Sequence, residues 1–143
     1  MNRAVMYADG GSRGNPGPSA SGYVLYQADD HGHPTKKIFE EGVYLGITTN
    51  NQAEYTAIIL GLRKAHELGF TIVDARLDSE LAVKQINRIY KVKNPDIAKR
   101  FFEVHEARQP FSKTSFTHIP REKNKEADAM VNLALDEQAA KKI

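Results

Sequence analysis

The stretch Asp9 to Pro18 (Asp-Gly-Gly-Ser-Arg-Gly-Asn-Pro-Gly-Pro) limits what this chain can fold into more than any other segment. Ahead of it, Val5, Tyr7 and Asp9 fall on one face of an expected strand and Ala4, Met6 and Ala8 on the other. The glycines and prolines that follow are expected to stop this strand at Asp9. A carboxylate therefore ends a strand with two apolar faces. Burying it is costly unless it is paired, protonated or bound to a cation. An Asx-type turn, which Asp before Gly often starts, is the competing explanation. Asp9 alone leaves both open.

Residues 20–28 read as a second strand, 29–34 as a turn and 37–45 as a third strand, which together suggest an antiparallel meander. Thr49 opens a helix with Gln52 at capping-box spacing, expected to run to about Leu68 and stop at Gly69. A fourth strand over 71–77, a helix over 79–90, a helix begun by Asn94-Pro95 and a fifth strand over 114–118 follow. Asn124 is the expected N-cap of a last helix reaching Ala140. Alternating strands and helices after a meander predict an α/β fold with a mixed sheet. The 143 residues are expected to form a single domain, 1–143.

Three further acids stand in awkward places. At 100° per residue, Ala57, Ile58, Gly61, Ala65 and Leu68 lie within about 60° of Glu54, in the middle of an apolar stripe. Three of these neighbours are small, so the helix should lie close to the sheet. A favourable helix dipole explains an acid in the first turn but not on the buried face. Asp78 ends the fourth strand, where it is either an acid beside the capping Ser79 or a site residue at a strand's carboxyl end. Asp128 lies one turn into the last helix, beside the stripe of Ala127, Val131, Ala134 and Leu135. Four carboxylates without any cysteine favour a hard, oxygen-loving cation such as Mg²⁺. Two such ions about 4 Å apart can clamp an in-line phosphoryl displacement.

Composition narrows the classes without choosing among them. No apolar run approaches the ~20 residues of a membrane span, and the amino terminus lacks a signal-peptide layout. The absence of cysteine excludes disulfides and thiolate metal sites and suits a cytoplasmic location. A net charge of +2 neither requires nor excludes a nucleic-acid partner. A monomer is the default expectation.

The motifs Tyr-Ala-Asp-Gly-Gly-Ser-Arg-Gly-Asn-Pro-Gly-Pro (7–18), Thr-Thr-Asn-Asn-Gln-Ala-Glu-Tyr (48–55), Leu-Asp-Ser-Glu (77–80) and His-Ile-Pro-Arg-Glu-Lys-Asn-Lys-Glu-Ala-Asp (118–128) resemble those of type 1 ribonuclease H, in the family's order. The resemblance implies a ribonuclease H-like fold, a five-stranded mixed sheet flanked by helices. It implies that Asp9, Glu54, Asp78 and Asp128 hold two Mg²⁺ ions, for which Mn²⁺ can substitute. The implied reaction is endonucleolytic hydrolysis of the RNA strand of RNA–DNA hybrids, giving 3′-hydroxyl and 5′-phosphate ends, with double-stranded RNA as a possible second substrate. By the same resemblance, Gly10, Gly11, Ser12, Asn15, Thr49, Asn50 and Asn51 contact the hybrid. Short amides and bare backbone suit a wide, shallow minor groove lined by 2′-hydroxyls. His118 matches the family's mobile auxiliary histidine and is expected to move protons, a role favoured over the competing explanation of a simple strand-end histidine.

The chain departs from the pattern in two places. It lacks the basic, tryptophan-bearing protrusion that many bacterial relatives carry, having only a short 90–111 segment and no tryptophan. Glu80 also stands where many relatives have glutamine, which predicts weaker or less selective substrate binding. Two other functions fit the same fold: a non-cutting nucleic-acid binding module, and another nuclease such as a resolvase, transposase core or exonuclease. Four acids near phosphates argue against the first. The Asn50–Asn51 segment and Asn15 suit hybrid recognition better than the second.

Overall fold

The computed structural model describes residues 2–141. Its centre is one five-stranded sheet in the order β3-β2-β1-β4-β5. The strands are β1 (Arg3–Ser12), β2 (Gly17–Ala28), β3 (Pro34–Thr48), β4 (Ile72–Leu77) and β5 (Lys113–His118). β1, β2 and β3 pair antiparallel, whereas β4 joins β1, and β5 joins β4, in parallel. The expected meander with parallel strands added is therefore present. β1 continues past Asp9, however: Gly10, Gly11 and Ser12 stay paired with Ser21, Ala20 and Ser19 of β2. Pairing partners on β2 hold these glycines extended and override their turn preference.

The helices are α1 (Asn50–Glu67), α2 (Glu80–Ile86), α3 (Pro95–Arg108) and α4 (Lys125–Ala140). α1 packs on β1 and β2 and α3 packs on α1, while α4 packs on β2, β3 and β1. Thr49 caps α1 by accepting from the Gln52 N–H at 3.3 Å, and Asn94 caps α3 by accepting from Asp96 and Ile97. Gly61 of α1 lies against Met6, the close approach that its small neighbours implied. Leu68 lies outside the buried stripe, at 44% exposure.

One helix falls short of its expected end, and another starts where expected but without the side-chain cap. α2 stops at Ile86, four residues short of Tyr90. There the Asn87 side chain donates to the Phe116 carbonyl at 3.0 Å and Arg88 turns to a φ of 64°. Asn124 is the N-cap of α4 as expected, its carbonyl accepting from the Asp128 N–H at 3.1 Å, but its side chain does not cap the helix. Its Nδ2 instead donates to the Ala8 carbonyl of β1 at 2.9 Å, from a side chain only 1% exposed. No helix among the described residues is long and apolar enough to cross a membrane.

Candidate active site

The end of β4, the far half of β1 and the first turns of α1 and α4 enclose an open cleft of about 460 Å³. Asp9, Glu54, Asp78 and Asp128 all line it. Two glycines make this convergence possible. A Cβ on Gly10 would collide with the backbone of Ala53 and Glu54, so α1 can lie against β1 beside Asp9 only because Gly10 has none. Gly22, the register partner of Asp9 on β2, meets Ala127 and Val131 backbone atoms of α4 in the same way. From the other side, the Asn124 bond to Ala8 fastens the start of α4 to the residue before Asp9.

Crowding the acids together has an electrostatic cost. Asp9 is pushed up from 3.8 to about 8, first by burial and then by the charges of Asp78 and Asp128. The Gly10 N–H, donating to Asp9 Oδ1 at 2.9 Å, opposes this, and Glu54 adds a smaller upward push. Glu54 is raised by burial and by Asp78, with the Ser79 hydroxyl pulling it down. Glu54 Oε2 is buried without a hydrogen-bond partner. Asp128 Oδ2 accepts from Asn132 Nδ2 at 3.4 Å.

An orphaned carboxylate oxygen and mutually repelling acids, all hard oxygen donors, fit a divalent cation such as Mg²⁺. Among the described residues, no three His, Asp or Glu side chains already form a metal cage. The acids surround the cleft without closing on one point.

The residues expected to touch substrate divide between two adjoining surfaces. Gly10, Gly11, Ser12 and Asn50 line the carboxylate cleft, while Asn15, Thr49 and Asn51 line a groove of about 300 Å³. Hydrogen bonds tie the two together: Ser12 N–H donates to Asn50 Oδ1 at 2.8 Å, and Asn50 N–H to Asn15 Oδ1 at 3.1 Å. His118 is exposed at the end of β5, where it is the register partner of Leu77. It thus sits at the acids' end of the sheet but is not part of the cleft lining.

Sequence reasoning missed several lining residues. Arg13, Arg121 and Asn132 face the cleft, and Gln85 and Asn94 face the groove. Arg13 and Arg121 lie inside recognisable motifs, so motif membership was the available signal; Asn94 reads in the sequence only as part of the Asn94-Pro95 helix start. Glu80 lies outside both linings, 60% exposed and 3.3 Å from Lys84 one turn on. Its charge is thus largely answered locally.

Residues 7–134 match the family described as reverse transcriptase-like. Ribonuclease HI of Halobacterium salinarum is 41% identical over 94% of this chain and 65% of its own length. The bifunctional protein Rv2228c of Mycobacterium tuberculosis is 39% identical over 96% of this chain but only 36% of its own. The chain thus spans less than two thirds of these relatives. The solved N-terminal RNase H domain of rv2228c superimposes with a TM-score of 0.92 at 36% identity, covering 100% of both chains. LC11-RNase H1, solved in complex with an RNA/DNA hybrid, superimposes with a TM-score of 0.85 at 39% identity, covering 95% of this chain and 99% of that one. Fold and sequence agree, and the chain belongs to the type 1 ribonuclease H family.

Proposed function

We propose that this protein is a metal-dependent endoribonuclease that hydrolyses the RNA strand of RNA–DNA hybrids, leaving 3′-hydroxyl and 5′-phosphate ends. The observation that carries this reading is the placement of Asp9 among three other carboxylates in one open cleft, beside a surface of short amides. The hybrid bound to LC11-RNase H1 supports the substrate class. Two Mg²⁺ ions, or Mn²⁺ in their place, held by Asp9, Glu54, Asp78 and Asp128 would favour ionisation of the attacking water and neutralise charge growing on the departing 3′ oxygen.

The chain's own groups do the rest. Asn50 and the Ser12 backbone, already locked together, offer short polar contacts to a shallow minor groove. Asn15, Thr49 and Asn51 extend that surface along the second groove. The exposed His118 imidazole, near the same end of the sheet, accepts and returns a proton as the phosphodiester breaks. The reading includes a monomer acting in the cytoplasm, with double-stranded RNA as a lesser substrate.

Asp9→Asn and Asp128→Asn test it. Each variant should lose cleavage of a labelled hybrid while keeping the wild-type circular dichroism spectrum. Cleavage at the wild-type rate by either would overturn the assignment.

A further inference from the structure

A separate groove, of about 460 Å³ and distinct from both the carboxylate cleft and the Asn15–Thr49–Asn51 groove, lies where α3 ends and β5 begins. Arg88, His105, Arg108, Gln109 and Lys113 line it, and no acidic side chain does. Among the described residues, Arg3, Arg13, Arg63 and Arg100 pair with carboxylates and Arg76, Arg88, Arg108 and Arg121 do not; of these four, Arg88 and Arg108 share one groove, with the equally unpaired Lys113. Arg108 is half-buried and held in place, donating from Nε to Thr114 Oγ1 at 2.8 Å with its guanidinium over the Phe116 ring. Burial and the nearby Arg88 charge both push Arg108 below its ordinary value. Arg88 itself sits at a φ of 64°, a left-handed backbone that glycine would adopt more readily. A turn serving only to end α2 would favour glycine or asparagine there.

Uncompensated cations gathered at one groove call for an anion, as the crowded carboxylates call for a cation. We propose that this groove is a second phosphate site, holding the backbone of a nucleic-acid strand beyond the segment that lies in the carboxylate cleft. Planar guanidinium forks match phosphate oxygens in pairs. The main cleft is itself acidic, so a bound polyanion needs positive charge elsewhere along its path. Lys113 pairs with Ile72 at the start of β4, whereas Asp78 follows the end of that strand. At roughly 3.3 Å per residue, the six steps from Ile72 to Asp78 separate the groove from the acids by about 20 Å along the sheet, more than one nucleotide spans. The inference rests on the nucleic-acid reading of the main cleft.

Hybrid length provides the test. In the non-cutting Asp9→Asn background, binding of 6-base-pair and 24-base-pair hybrids is measured by fluorescence anisotropy across a salt series, with and without Arg88→Gly and Lys113→Gln. Glycine suits the backbone at position 88, so Arg88→Gly should fold at least as well as its parent. The proposal predicts several-fold weaker binding of the long hybrid only. It also predicts that the slope of log affinity against log salt falls by about 1 for each phosphate that a variant no longer neutralises. Unchanged binding of the long hybrid, or equal weakening of both lengths, would overturn it. If the parent protein binds neither hybrid, the reading of the main cleft fails instead.

Discussion

Replacing Asp9 by Asn should stabilise the protein when divalent metal is removed, and the gain should depend on pH. Asp9 titrates near 8 when folded, against 3.8 ordinarily, because burial and then Asp78 and Asp128 disfavour its charge. The folded state thus binds this proton more tightly than the unfolded chain does. Its stability must fall as pH rises from about 4 to about 8. At pH 7 the gap of about three pH units, at about 1.4 kcal/mol each, corresponds to about 4 kcal/mol. Water entering the open cleft screens part of this, leaving a gain of about 2 kcal/mol on neutralising the side chain. For a chain of this length that is a rise in Tm of roughly 6 °C. Thermal unfolding in EDTA at pH 4, 5, 6, 7 and 8 measures it. The two proteins should unfold together at pH 4 and separate progressively above it, and Mg²⁺ should raise the Tm of the wild type more than that of Asp9→Asn. An Asp9→Asn protein less stable than wild type at pH 7 in EDTA, or a difference independent of pH, would refute the electrostatic reasoning.

Other substitutions probe how the site is assembled. Asn124→Ala removes the tether between α4 and β1; denaturant unfolding should show a loss of about 2 kcal/mol, and hybrid cleavage should fall with it. Gly10→Ala forces α1 away from β1, and a urea titration should register a loss of about 3 kcal/mol. His118→Ala should lower kcat about 100-fold with hybrid affinity unchanged; an unaltered kcat would leave the histidine a simple strand-end residue. Glu80→Gln should change hybrid affinity by less than about two-fold, because the exposed Glu80 already pairs with the partly buried Lys84.

Much of this architecture was legible in the chain itself. Strand alternation, the Thr49 and Asn94-Pro95 helix starts and the Gly69 stop are local signals, and each element they define is present. Glu54 was recognisable as an anomaly because helical periodicity places it on the apolar stripe. What sequence could not show depends on partners distant along the chain. β2 keeps Gly10 and Gly11 extended, and the Asn124 side chain abandons capping for a carbonyl on β1. Arg88 and Lys113 lie far apart in sequence, and only the packing of α2, α3 and β5 brings them to one groove. His118 shows the reverse: its motif spacing identifies a candidate, while the fold leaves it exposed outside the cleft lining.

The most direct test of the central claim is cleavage of one end-labelled sequence prepared as RNA–DNA hybrid, double-stranded RNA, double-stranded DNA and single strands, each with Mg²⁺, Mn²⁺ or EDTA. Cutting chiefly within the RNA of the hybrid, supported by either metal and abolished by EDTA, is the predicted result. A folded protein that binds the hybrid yet cuts none of these substrates, or that cuts equally well in EDTA, would contradict it.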